Sequence, residues 1–422
     1  MKQVFRGKNP EGGARSLVVE DGRIVAVDDS GSDLAEETDF GDGIILPSWI
    51  DAHVHFNEPG REDWEGLESG SRALAAGGGT VFFDMPLNSS PPVTTRERLE
   101  QKRRIAEAKS CIDFALWGGL IPGSIPHLAD MADGGAIGFK AFMCHSGLDE
   151  FPAADAATLR EGMMIAADLD LPVAVHAEIP TTVPVSGNDM AAWISSRPIR
   201  FELDAIRLAL DIAHDTGCAL HIVHVTCPEG IDLVTEAKSA GIDVTVETCP
   251  HYLLLTDGDA IAIGASAKCA PPLRTAPTVE GLWQRLLGGA IDTLGSDHSP
   301  SPPELKSGED LFAIWGGIAG IQHGLPLLFS RSLDFLPQIS SRPASRFRLE
   351  RKGFLAPGYD ADFIVLEKNA APISSDDLLT RHKISPYLGL VPTQRIAATY
   401  LRGEMVTPRT RGRFLAPKPE GR

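Results

Sequence analysis

No stretch of this chain offers 18 uninterrupted apolar residues, and residues 1–20 hold no apolar segment of the kind a secretory leader needs. The expectation is a cytoplasmic protein without a membrane span. Positive charge is the second shortage. Lys and Arg total 39 against 57 Asp and Glu, a formal net charge of -18, and a field of that sign disfavours nucleic acid and anionic membranes as partners. Six cysteines, at 111, 144, 218, 227, 249 and 269, form no Cys-x-x-Cys pair and keep no regular spacing, which argues against a disulfide framework. No Gly-x-Gly-x-x-Gly follows the first strand of the long central region, and no Gly-x-Ser-x-Gly occurs. Dinucleotide binding and nucleophilic serine catalysis therefore lack their usual signatures.

What is present is a repeated alternation of strand and helix. Apolar strands are predicted at 49–55, 80–84, 112–117, 136–142, 171–175, 219–225, 242–246 and 291–294. Helices are predicted at about 64–77, 95–110, 155–169, 201–217, 229–240 and 278–289, with a short one near 124–134, and the 309–323 region follows the last strand. Thr94-Thr95, Asp155 and Glu202 supply the polar or acidic groups that helix N-termini prefer. Eight such units in α/β alternation argue a closed (β/α)8 TIM barrel over 49–353, with an open doubly wound sheet as the alternative. Before it, Ser16–Glu20 and Arg23–Val27 flank an Asp21-Gly22 hairpin signal, with a turn at 30–33 and a strand near 43–46. After it come short strands at 361–366, 395–401 and 404–406. Neither set can bury much alone, so residues 1–48 and 354–422 are read as one small β-sandwich domain built from both termini.

Chemistry gathers where barrel strands end. His53 and His55 alternate with Val54, so a strand turns both imidazoles to one face, suited to gripping a metal ion. Lys140 lies in the fourth strand, His176 ends the fifth, His224 the sixth, and Asp297 follows the eighth. On strand six His221 competes with His224, and His224, nearer the carboxyl end, is the expected ligand. His251 stays open between a structural and a substrate-adjacent role. These six ligands are more than one ion needs and imply two divalent ions, with zinc the default for imidazole and carboxylate donors. A buried ammonium among cations is untenable. A neutral Lys140 amine that captured carbon dioxide would become a carbamate able to bridge the pair. Asp297, beside an acidified water, would accept its proton and pass it to a departing nitrogen.

Several segments resemble the amidohydrolase superfamily, and within it the branch that holds allantoinases, dihydroorotases and hydantoinases. Asp51-Ala-His-Val-His-Phe-Asn-Glu-Pro-Gly-Arg61 with Trp64-Glu-Gly66 is similar to the first signature of allantoinases. Asp84-Met-Pro-Leu-Asn88, Gly138-Phe-Lys140, Lys268-Cys-Ala-Pro-Pro-Leu-Arg274, Ser296-Asp-His-Ser-Pro300 and Gly316 to Gln322 are similar to further segments of theirs. The resemblance implies that His53 and His55 bind the more buried metal and His176 and His224 the more exposed one, with carboxylated Lys140 as bridge and Asp297 as ligand and proton shuttle. It implies a small cyclic amide or ureide as substrate, allantoin first and hydantoins or dihydroorotate as alternatives, and a homo-oligomer, a tetramer. Asn57 stands where dihydroorotases usually carry an arginine. Asn57, Asn88 and the backbone at Gly316 and Gly317 are the candidate substrate contacts.

Overall fold

The computed structural model describes residues 2–28 and 36–418; the turn expected at 30–33 lies outside them. The chain opens on β1 (Lys2–Lys8), β2 (Ala14–Glu20), β3 (Arg23–Val27) and β4 (Glu36–Pro47). Asp21 and Gly22 both take positive φ, 50° and 79°, the conformation a tight hairpin needs to match strand twist. β1 was not expected from the sequence. Only Val4 and Phe5 are buried in it, so its local pattern is weak. Pairing fixes it instead, antiparallel to β2 and parallel to β4.

The barrel follows as β5 (Trp49–Val54), β6 (Gly79–Asp84), β7 (Asp113–Leu116) with β8 (Gly118–Gly119), β9 (Phe139–Phe142), β10 (Val173–His176), β11 (Leu220–Ile222), β12 (Val244–Thr248) and β13 (Thr293–Leu294). All these neighbours pair in parallel, and β7 and β8 are one staved position bent at Trp117. Closure comes from β5 against β13: Val54 bridges His298, His55 N–H donates to His298 O at 2.8 Å, and Trp49 Nε1 donates to Leu294 O at 2.9 Å. Parallel strands covered on both faces read as continuous apolar runs, which is why β5 and β6 are buried at every position.

Helices cover the outside at Leu67–Ala76, Arg96–Lys109, Ala156–Asp168, Ile199–Thr216, Pro228–Ser239 and Ala276–Leu287. Ile199–Thr216 buries Phe201, Ala205, Ile206, Ala209 and Ala213 along one stripe and stops at Gly217, φ 67°. Thr95 and Asp155 cap their helices as expected. Glu202 stands in the first turn of its helix as expected, but caps no backbone there; it is buried and accepts from both the backbone N and the hydroxyl of Thr226, at 2.7 and 2.6 Å. No helix forms over 309–323. That segment is loop, and the next helix is Gly324–Phe329.

β14 (Phe363–Lys368), β15 (Gln394–Leu401) and β16 (Glu404–Met405) then join the first strands in one seven-stranded sheet, ordered β16-β15-β14-β4-β1-β2-β3. Its core is Phe5, Leu17, Val19, Ile24, Ile45, Phe363, Val365 and Tyr400. After β16 the chain leaves that sheet and residues 413–415 run beside β7, with Phe114 N–H donating to Arg413 O and Leu415 N–H to Phe114 O.

Barrel and sheet meet at a buried ionic knot. Lys352 Nζ lies 2.7 Å from Asp113, 2.9 Å from Asp360 and 2.7 Å from Asp362, while Arg402 reaches Asp113 at 2.6 Å. Removing the lysine strands carboxylates away from water. Lys352→Met should therefore lower stability by about 3–5 kcal/mol, read as a fall in the urea midpoint. Arg96→Gln, which loses an exposed pair with Glu100, should leave the midpoint essentially unchanged.

Candidate metal centre and active site

A cavity of about 460 Å³ opens at the carboxyl ends of the barrel strands, the face where this architecture assembles its sites. His53, His55, His176, His224 and Asp297 all line it. The Nε2 atoms of His53 and His55 both lie 3.2 Å from Asp297 Oδ1. The His53 and His224 rings are 5.5 Å apart and those of His224 and His176 4.6 Å apart. Lys140 does not line the cavity. It is fully buried beneath it, and its Nζ has no hydrogen-bond partner among the described residues. His224 and Asp297 both take φ 45°, left-handed backbone that non-glycine residues adopt at a cost and that clusters at functional sites.

Burial pushes the Lys140 ammonium down to about 8 and holds His176 and His224 well below the usual imidazole range, hence neutral. Burial also opposes charge on His53, but Asp297 and Glu247 outweigh it and raise the ring to about 9.

The sequence reading missed the carboxylates that aim these rings. Glu247, in β12, accepts from His53 Nδ1 at 2.7 Å and from the backbone N of His224 at 3.3 Å, so one buried group sets His53 in β5 and His224 just past β11. Its other oxygen is 3.6 Å from His221 Nε2. Glu178 does the same for His176, 3.2 Å from its Nε2, and Arg197 pairs with Glu178 in turn. Asp51 accepts from the backbone N of Ser296 at 2.9 Å and of His53 at 3.2 Å, tying the first ligand strand to the Asp297 loop. The available signal was a carboxylate inside an apolar strand, Val-Thr-Val-Glu247, which must be paired to be buried there.

Two groups of donors could hold ions: His53, His55 and Asp297 in one, and Cys144, His176 and Glu178 in the other, each with its donor atoms within 4.8 Å. Glu178 already carries Arg197, so its geometry is that of a group orienting His176. The donor set fits a pair of divalent ions. Buried Lys140 Nζ, His55 Nδ1 and His224 Nδ1 are all without hydrogen-bond partners among the described residues, and nitrogen with carboxylate oxygen is what such ions take.

The cavity walls differ from the expected substrate contacts in part. Asn88 lines the cavity, with Nδ2 donating to Ser299 Oγ at 3.2 Å. Asn57 does not; it is buried behind the wall, donating to Pro300 O at 3.2 Å. Gly316 and Gly317 line the cavity, but the Gly317 N–H donates to Lys268 O and its carbonyl accepts from Lys306. Gly317 therefore offers close approach, not free donors: a Cβ there would sit 2.2 Å from Ser299 O. His251 is buried outside the lining residues, with both ring nitrogens unpartnered among the described residues. Phe142, Trp193, Phe312 and Trp315 supply an aromatic rim.

A Cβ at Gly295 would fall 2.3 Å from Glu247 Oε2 and 2.8 Å from His53 Cβ. Gly295→Ala should therefore push Glu247 off His53 and weaken divalent-ion binding about 10–100-fold, measured by competition with a coloured chelator. Unchanged affinity would show that Glu247 does not aim the ligand.

Comparison with known proteins agrees with this geometry. The amidohydrolase family model matches residues 44–406. The allantoinase of Deinococcus radiodurans is 48% identical, covering 97% of this chain and 96% of its own, and that of Rubrobacter xylanophilus is 46% identical, covering 95% and 94%. Among solved structures, an L-hydantoinase (dihydropyrimidinase) from Arthrobacter aurescens superposes with a TM-score of 0.91 at 31% identity, covering 99% of this chain and all of that one. A D-hydantoinase follows with a TM-score of 0.86 at 26% identity, covering 99% of each chain. The chain belongs to the amidohydrolase family, within its allantoinase branch.

Proposed function

We propose that this protein is a metal-dependent cyclic-amide hydrolase that opens the ring of allantoin to give allantoate. The observation that carries the reading is the convergence of His53, His55, His176, His224 and Asp297 on one cavity beside a buried Lys140 whose Nζ has no hydrogen-bond partner among the described residues, in a chain that matches allantoinases along nearly its whole length.

His53, His55 and Asp297 would hold one ion and His176 and His224 the other, with Lys140 between them. The lysine would do this as its carbamate: the ammonium gives up one proton, the neutral amine adds to carbon dioxide and loses a second, and a positive side chain becomes a negative one with two donor oxygens. Two divalent ions, zinc by the softness and geometry of these donors, would acidify the attacking water and polarise the ring carbonyl when bound.

The remaining work falls to the chain. Asp297 faces the cavity, takes the proton of the attacking water and delivers it to the ring nitrogen as the C–N bond breaks. Glu247 and Glu178 keep His53 and His176 aimed and buried. With Asn57 behind the wall, the contact to the ureido arm passes to Asn88. Two cations line the cavity, yet Arg197 is committed to Glu178, and Lys268 to the carbonyls of Ile314 and Phe312. Neither is free to hold a dihydroorotate carboxylate, which bidentate arginine would match best. The same reading places the enzyme in the cytoplasm, where its six unpaired cysteines suit a reducing compartment, as a homotetramer. Among the described residues no helix is long and apolar enough to cross a membrane.

The aromatic rim favours a second reading, hydrolysis of hydantoins with apolar substituents. The experiment is kcat/KM for allantoin, hydantoin, phenyl-substituted hydantoin and dihydroorotate on one zinc-loaded preparation. Allantoin should lead by about a hundredfold or more, the scale of one mismatched buried polar group; a lead for the phenyl compound would make it a hydantoinase.

A further inference from the structure

Arg61 belongs to the first signature segment, lies outside the metal cluster and does not line the cavity. Its guanidinium nevertheless bonds two of the loops that do and reaches a third through Trp64. Nη1 donates to Asn88 O at 2.8 Å, on the loop after β6. Nη2 donates to Glu150 Oε1 at 2.8 Å, on the loop after β9 whose residues 144–147 line the cavity. The same carboxylate accepts from Ser90 Oγ at 3.1 Å, closing a ring of contacts between the two loops. Finally, the guanidinium carbon lies 5.3 Å from the centre of Trp64, which meets Trp315, a cavity residue on the loop after β13, edge to face at 4.9 Å.

The contacts are tight where the loops cross. Ser90 N–H donates to Pro59 O at 2.8 Å, and a Cβ on Gly60, φ 86°, would overlap Ser90 O at 1.9 Å. Asn88 itself sits at φ 68°, a conformation that needs its surroundings to hold it. A planar fork can bond a carbonyl and a carboxylate at once while its face lies on an indole; an ammonium offers a point charge and no such plane.

We propose that Arg61 is a positioning residue for substrate specificity: it touches neither the reacting atoms nor the ligands, but fixes Asn88 and the aromatic rim at the spacing one substrate requires. The proposal rests on the cyclic-amide hydrolase reading, and it separates binding of the ring substituent, which passes through the wall, from chemistry, which passes through the metal cluster. Loss of Arg61 should then act on KM and on the choice between substrates, leaving kcat and bound metal in place.

The test uses zinc-loaded full-length enzyme with Arg61→Lys, Arg61→Gln and Arg61→Ala. Each should raise KM for allantoin by roughly tenfold or more, with kcat changed by less than about threefold and zinc content as in the parent. The preference for allantoin over hydantoin should shrink, and guanidinium chloride at low millimolar concentration should restore part of the KM of Arg61→Ala without changing the parent. Hydrogen exchange, read with no substrate present, should speed up together at 86–90, 144–150 and 312–317. A fall in kcat with loss of zinc, or faster exchange confined to 58–64, would overturn the proposal. If the parent enzyme does not turn over allantoin while the three loops still loosen together, the substrate reading falls and the role of Arg61 stands.

Discussion

Glu247, fully buried in β12, sits 2.7 Å from His53 Nδ1 and within reach of the His224 backbone and the His221 ring. A lone carboxylate at that depth would be strongly disfavoured. Here it is held ionised against burial chiefly by His53, with help from His221, and in exchange it fixes which nitrogen of His53 faces the cavity. The chain applies the device twice: Glu178, itself anchored by Arg197, holds His176. Orientation of a ligand by a carboxylate behind it is a general feature of metal sites, and the strict packing at Gly295 shows how little room the barrel leaves for error.

Everything around the cluster serves to keep strand ends in register. Asp51 links the first ligand strand to the Asp297 loop, and Asp84 accepts from Phe56 N–H at 3.0 Å while pairing with buried Lys102 at 3.1 Å. The Asp51 bonds lie where β5 meets the segment after β13, so at the barrel's seam the fold and the site share contacts. The left-handed backbone at His224 and Asp297 is tolerated because neighbours on both sides hold it. Stability at the far end comes from the knot of Lys352 with Asp113, Asp360 and Asp362, leaving the cavity face free for loops.

The sequence was most legible where period and burial agree. Barrel strands covered on both faces and long helices with one apolar stripe announce themselves locally, and the convergence of His53, His55, His176 and His224 on one cavity could be read because strand ends meet in a barrel. Three things did not announce themselves. β1 has two buried apolar residues and owes its existence to partners far along the chain. Glu247 and Glu178 look like ordinary acidic residues until the ring they face is known. Asn57 occupies a suggestive position in the signature, yet its side chain turns to Pro300, a direction that spacing cannot supply at a positive φ of 66°. The shape of the cavity wall depends on segments after β5, β6, β9, β10, β11, β12 and β13, so substrate choice was the least readable feature.

In the proposed mechanism Lys140 becomes useful only when its charge is reversed. Diffraction from crystals grown with zinc and bicarbonate, recorded on both sides of the zinc absorption edge, tests this most directly. Two anomalous peaks over the strand ends are expected, with density extending from Lys140 Nζ to reach both. A free Lys140 amine beside one peak or none would contradict it.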